Sequence, residues 1–362
     1  MQGIDATQDK LIPYLKETNI IMNELLSRTP FNGSARIICN LDLGFPHDVI
    51  RIAGGFATGI YVSWDTYVPF IPIDICMNAC TVSIYKLDRI KADFFNEKRI
   101  TDVLGNLTNS SYIANFHRGN HFVSYVESNI DSSRYIIIHS SAAEFETLYN
   151  GLYPVEGNYF YSKIKTYYSK NRYIRYLEGK TAELYWRIAN NLYNYNQNRH
   201  DFIVNCIVNN DAEIIDGKHY HHYGMPSHCE AIVGCHLLEK NSESPLLSRP
   251  GEKIYLLKYH KRIDGDSVND KIFTTPHGVG KKHFGTPSIS ISGNKFCLDE
   301  NEYFIKYGES LRAHPNLLLR DIAMHEYINH LKKQYDFSIV DEYEQLVSLN
   351  KFGIRIWSNY EK

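Results

Sequence analysis

The sequence predicts one compact domain that combines strands with helices, and three observations carry that reading. β-Rich runs recur at 35–43, 59–64, 122–126, 135–138 and 254–258, and turn-forming residues separate them. Residues 181–208 instead keep helical spacing, through Leu184, Ile188, Leu192, Tyr195, Phe202 and Cys206. No internal repeat, low-complexity tract or linker divides residues 1–362.

Taken in order, residues 7–28 read as a polar, partly helical lead-in with Ile20, Ile21 and Leu25 on one face. Residues 35–43 read as a buried strand, followed by a loop through Phe45-Pro46-His47-Asp48, a Gly54-Gly55 break and a second strand at 59–64. In 68–80, Asp74 and Cys76 stand two apart just past an apolar run. On a strand end they would share a face and offer a carboxylate and a thiol to a metal. A capping Asp and a buried, inert Cys is the other reading. The charged stretch 86–99 looks helical.

Next comes a hairpin with its turn centred near Ile130, which sets His121 almost opposite His139 at the open end. Cross-strand Cβ atoms lie about 5 Å apart, close enough for two imidazoles to share a metal cluster. Gly119-Asn120, just before it, admits a ligand close to the backbone. Residues 161–176 interleave basic and aromatic side chains, as phosphate contacts with base stacking would need, and as an amphipathic surface also would. Thr181 reads as the N-cap of the long helix. Residues 216–236 then concentrate His and Cys, a density that points to metal chemistry. In His277-Gly278-Val279-Gly280-Lys281-Lys282 the glycines would let backbone N–H groups reach an oxyanion and the lysines would neutralise phosphate. His325 and His330 are five apart, off a common helix face, and are set aside as metal ligands.

Composition narrows the partners. A formal net charge of −2 excludes a polycation, so any nucleic acid must be held by a local patch. Seven cysteines without regular spacing argue against a disulfide framework. No signal-like start and no membrane-length apolar run are visible, so the expectation is a cytoplasmic protein with no membrane role.

In this order the motifs resemble the RtcB family of RNA ligases. They are Asp74-Ile75-Cys76-Met77-Asn78-Ala79, Gly119-Asn120-His121-Phe122, Ile138-His139-Ser140-Ser141, the helix with Asn198-Arg199, His221-His222-Tyr223, and His277-Gly278-Val279-Gly280-Lys281. The resemblance is clearest over 35–285. It implies an α+β fold, a single RtcB-like domain with a central mixed β-sheet around a dinuclear metal cleft. The implied activity joins an RNA 3′-phosphate or 2′,3′-cyclic phosphate end to a 5′-hydroxyl end, using GTP and two manganese ions, with zinc as an alternative metal. Such RNA ends, and a helper of the archease kind, are the implied partners. Carried over, Cys76 bridges two metals, Asp74 and His121 complete one, and His139 and His222 the other. His277 takes GMP, with Asn120, Gly278, Gly280 and Lys281 at the nucleotide. A metal-dependent phosphohydrolase, an RNA-end-binding relative or an inactive subunit of the same fold is the alternative.

The chain departs from the pattern at several points. Glycines flanking the thiol are absent, and Cys80 follows as a second thiol. The guanine-reading Glu is replaced by Ser124, so restoring it with Ser124→Glu is expected to raise the preference for GTP over ATP. Ser-Gly-Ser-Arg-Gly has become Ser140-Ser141-Ala142-Ala143-Glu144. The family's Met-Pro-Asp-Val-His is matched in part by Leu41-Asp42 and in part by Pro46-His47-Asp48.

Overall fold

The computed structural model describes residues 3–91, 94–111, 121–142, 144–147, 151–349 and 355–358. The fold is α+β, mostly strands, as expected. Its largest sheet runs in the order Glu243–Leu246, Ile254–Arg262, Tyr335–Leu349, Phe122–Ser128, Arg134–Ser140, Thr81–Asp88, Glu213–His221. Arg355–Ser358 adds to it beside Tyr335–Leu349, and the sheet curls into a half-barrel. The expected mixed sheet is not what forms: among the described residues every strand pairing is antiparallel, apart from the isolated parallel bridge Leu247–Gly278. Hairpin connections join antiparallel neighbours directly, as Ser128 to Arg134 does here.

A second sheet orders Ser34–Gly44, Thr58–Asp65, Glu230–Val233 and Tyr223–Ser227. Helix Ala6–Leu26 lies against its first strand, starting where the Asp5 carboxylate accepts from the Gln8 N–H at 3.0 Å. Leu11, Leu15, Met22 and Leu26 are buried, whereas Ile20 faces solvent. Helix Gly179–Val208 ties the two sheets together. Its first half places Tyr185, Ala189 and Leu192 in the core shared with Ile60 and Val62, and its second half sets Ile203, Val204 and Ile207 against Val123, Ile136 and Ile138.

The sequence placed the start of this helix at Thr181, but it begins at Gly179 with Glu178 at the cap position. The buried stripe is also turned by about one residue, through Tyr185, Ala189, Leu192, Asn196, His200, Ile203 and Ile207, leaving Leu184 and Phe202 exposed. Of 86–99, the first residues close the strand Thr81–Asp88 and only Glu97–Ser111 is helical. The basic–aromatic stretch forms the hairpin Lys165–Ser169 with Arg172–Glu178, and two of its cations turn inward. Arg172 bonds Thr18 Oγ1 at 2.7 Å, and Arg175 is held by Asp74. That favours the amphipathic-surface reading of this stretch over a phosphate track.

Register brings one end of the large sheet to a focus. Thr81 pairs with Ser140 on one side and with His221 on the other, and His139 pairs with both Val82 and Phe122. Cys80, His121, His139 and His222 therefore arrive together, although they are far apart in the chain.

Candidate active site

Cys80, His139 and His222 are fully or nearly fully buried and converge. Cys80 Sγ lies 3.2 Å from His139 Nε2 and 3.5 Å from His121 Nε2, and His139 Nε2 lies 3.2 Å from His222 Nε2. Ligands around a tetrahedral ion with bonds of about 2.0–2.3 Å stand roughly 3.3–3.8 Å apart, so this spacing suits a metal. The electrostatics agree. Burial, then His139, holds His121 well below the ordinary imidazole value; burial, then His277 and His139, does the same for His222. Metal binding needs such neutral rings. Burial also pushes the Cys80 thiol up, so a thiolate here calls for a cation beside it. Among the described residues the buried Nδ1 of His121 has no hydrogen-bond partner.

His121 and His139 meet as expected, but not by facing each other across the ladder. Phe122 is the partner of His139; His121 precedes the strand, escapes its alternation and turns its ring edge-on to His139 at 5.3 Å. Of the three neighbouring histidines, His222 reaches the cluster. His221 bonds Thr81 Oγ1 at 2.9 Å and stacks on Tyr193, and His219 bonds Ser83 Oγ at 2.8 Å. His236 packs its ring against His222 while its Nδ1 donates to the His221 carbonyl at 3.0 Å.

The structure does not bring Asp74 and Cys76 to this cluster. Asp74 is fully buried, and Arg175 takes both its oxygens at 3.0 and 2.5 Å. Cys76 packs in an apolar cluster with Ile50 and Tyr153, where burial pushes its thiol well up. The cause is a turn that strand spacing does not anticipate. Residues Ile73–Ile75 form one 3-10 turn, Cys76 and Ala79 both take positive φ (55° and 52°), and the chain reverses before Cys80. Buried Arg51 clamps the turn, donating to the Ile75 carbonyl at 3.0 Å and the Cys76 carbonyl at 2.9 Å. Cys80, four residues on, is the thiol delivered to the histidines.

His277 stacks on His222, ring centroids 4.8 Å apart and nearly parallel. Its Nδ1–H faces Asp42 Oδ2 at 2.6 Å and the Gly234 carbonyl at 2.7 Å, and its backbone N–H also reaches Asp42 Oδ2 at 3.1 Å. Two acceptors at Nδ1 fix the tautomer and leave the Nε2 lone pair free. Asp42, fully buried at the end of the Ser34–Gly44 strand, is the residue the motif comparison left between two positions. A lone acid inside an apolar run, Ile-Ile-Cys-Asn-Leu-Asp-Leu, was the signal for it.

These groups line one cavity of about 630 Å³, within the range of nucleotide-sized ligand sites. His277, Gly278, Gly280 and Lys281 line it together with Cys80, His121, His139 and His222, and His47, Ser310 and Arg312 also reach its surface. Burial, then Arg312, lowers the Lys281 pKa to about 8, and its Nζ donates to His47 Nδ1 at 3.0 Å. Gly280 has a packing reason as well, since at φ +70° a Cβ would overlap the Asp42 carbonyl. Ser124 is elsewhere, fully buried and 2.5 Å from Ser348 Oγ. Asn120 lies outside the described residues. No protein-family model and no curated protein matches this chain.

Proposed function

We propose that this cavity is the active site of a metal-dependent RNA ligase of the RtcB kind, joining 3′-phosphate or 2′,3′-cyclic phosphate ends to 5′-hydroxyl ends through a His277–GMP intermediate. One observation carries the reading: an imidazole with Nδ1 fixed by a buried carboxylate and a carbonyl, and with its ring stacked on a member of a Cys–His cluster in a nucleotide-sized cavity. This is the arrangement of an activated nucleophile and its orienting group.

The residues present fit a metal. Cys80, His139 and His222 would hold one ion, and His121 with a shared Cys80 thiolate offers part of a second position. Without Asp74 the donors are a thiolate and imidazoles, a set that suits zinc better than manganese. A bound ion would supply Lewis acidity toward phosphate oxygens. The chain's own groups do the rest. His277 Nε2 attacks the α-phosphorus of GTP, the bond to pyrophosphate breaks, and Asp42 stabilises the cationic ring that forms. Lys281 and Arg312 offer positive charge to the departing pyrophosphate. Where the RNA end is a 2′,3′-cyclic phosphate, water first opens its 2′-O–P bond to leave a 3′-phosphate; an oxygen of that phosphate takes GMP from His277, and the 5′-hydroxyl then displaces GMP to close the backbone.

Incubation of two RNA oligonucleotides, one ending in a 2′,3′-cyclic phosphate and one starting with a 5′-hydroxyl, tests the activity. With GTP and Zn²⁺ or Mn²⁺ the wild type should join them and His277→Ala should not. Conversion of the cyclic phosphate to a monophosphate without joining would favour a phosphohydrolase instead.

A further inference from the structure

We propose that His283, Asp299 and His314 form a second cation site, structural in role, on the outer side of the cavity wall. His283 Nε2 lies 2.6 Å from Asp299 Oδ2, and His314 Nε2 lies 3.8 Å from the same oxygen. All three ligand atoms fall within 4.8 Å of one another. The two imidazoles are almost wholly buried, at 3% and 0% side-chain exposure, while Asp299 keeps 23% and so leaves room for water as a fourth ligand. The His283 Nε2–Asp299 Oδ2 contact is a hydrogen bond through a proton on Nε2; a cation would take that proton's place, with the ring proton moving to Nδ1, 3.3 Å from the Gly285 carbonyl, and the two ligand atoms moving apart. His314 Nδ1 accepts the Asn316 N–H at 3.2 Å, and its Nε2 lies 3.3 Å from Asn301 Nδ2; ligation through Nε2 moves the ring proton to Nδ1 and gives up both contacts. Metal ligation by two imidazoles and a carboxylate outweighs their loss.

The surroundings show why a staple is useful here. The three ligands come from strand Lys281–His283, from the turn after Lys295–Leu298 and from the residue after the 3-10 turn Leu311–Ala313. Between them runs a three-stranded meander whose buried hydrophobic side chains are Phe296 and Leu298. Both belong to the main hydrophobic cluster, but among the described residues the meander's strands pair only with one another, and a bound cation would tie its two ends to the cavity wall. A divalent cation of the zinc class would lock the strand bearing Lys281 to the turn bearing Arg312, both of which line the cavity. Spacings of 15 and 14 residues between the ligands form no recognisable motif, which is why the sequence does not announce the site.

Cobalt titration of the metal-stripped full chain separates the two sites, because only the cavity site has a thiolate. Cys80→Ser/His222→Gln should lose the thiolate-to-cobalt charge-transfer band yet still bind one Co²⁺ with ligand-field bands, and adding His283→Gln/His314→Gln should abolish that remaining binding. Conversely, His283→Gln/His314→Gln alone should keep the thiolate band while native mass spectrometry counts one ion fewer than in wild type. Zn²⁺ should raise the Tm of the Cys80→Ser/His222→Gln protein and leave the combined variant unmoved. An ion count unchanged by His283→Gln/His314→Gln, or no uptake by Cys80→Ser/His222→Gln, would show that the three residues form a hydrogen-bonded cluster only.

Discussion

Which thiol meets the histidines is decided at Cys80, and the two candidate cysteines make opposite predictions. Cys76 is shielded in an apolar pocket with Ile50 and Tyr153, whereas Cys80 Sγ touches both His121 and His139. Cys80→Ser should therefore weaken metal binding in the cavity and erase the thiolate-to-cobalt band while the ion at His283, Asp299 and His314 stays, and Cys76→Ser should leave both the cavity ion and the band at the wild-type level. The opposite pattern would restore Cys76 as the ligand. Lys281 makes a prediction in pH. Its pKa falls from 10.5 to about 8 chiefly through burial, so its charge is present at pH 7 and is lost as pH rises through about 8. Pyrophosphate affinity, measured calorimetrically, should drop about three- to tenfold between pH 7 and 9, and Lys281→Arg should flatten that slope. The stability sign is the reverse. Between about 8 and 10.5 the unfolded chain binds more protons than the folded one, so this group's burial penalty is relieved as pH rises. A pyrophosphate affinity independent of pH would remove Lys281 from the anion site.

Among the elements, strands were more legible than helix faces and turns. The strand at 35–43 and the hairpin around Ile130 were readable because β-branched runs bounded by turn residues have few other uses. The long helix was readable in length but not in orientation. Its buried stripe carries Asn196, Arg199 and His200, so hydrophobic residues alone select a neighbouring face. Those polar groups find partners inside the fold: His200 bridges Ser83 Oγ and Ser140 Oγ at 2.7 and 2.6 Å, and Arg199 pairs with Glu144 at 3.0 Å. The turn before Cys80 was illegible for a related reason, since its path depends on Arg51 arriving from a distant helix. The hairpin strand Phe122–Ser128 also corrects the expectation for Ser124. Its side chain is buried against Ser348, away from the cavity lining, so Ser124→Glu would bury an unpaired carboxylate. The variant should lose about 3 kcal/mol or more of stability in a denaturant titration and gain no preference for GTP. A stable variant with sharpened nucleotide selectivity would put position 124 back at the base.

In the whole molecule, two sheets and the helix that joins them place a Cys–His cluster, an oriented histidine and a depressed lysine around a single cavity. The four histidines at 121, 139, 222 and 277 were visible in the sequence, whereas the carboxylate that orients His277 and the correct thiol emerged from three-dimensional packing. Among the described residues no helix is long and apolar enough to cross a membrane. The central claim is that His277 is a nucleophile, and a covalent intermediate is its most direct consequence. The measurement is the intact mass of the full chain after incubation with GTP and Zn²⁺ or Mn²⁺. The expected result is a gain of one GMP, lost on mild acid treatment and stable to alkali as a phosphoramidate should be, and absent from His277→Ala. An unmodified wild-type mass under every metal and nucleotide tried, or a GMP adduct that survives in His277→Ala, would contradict it.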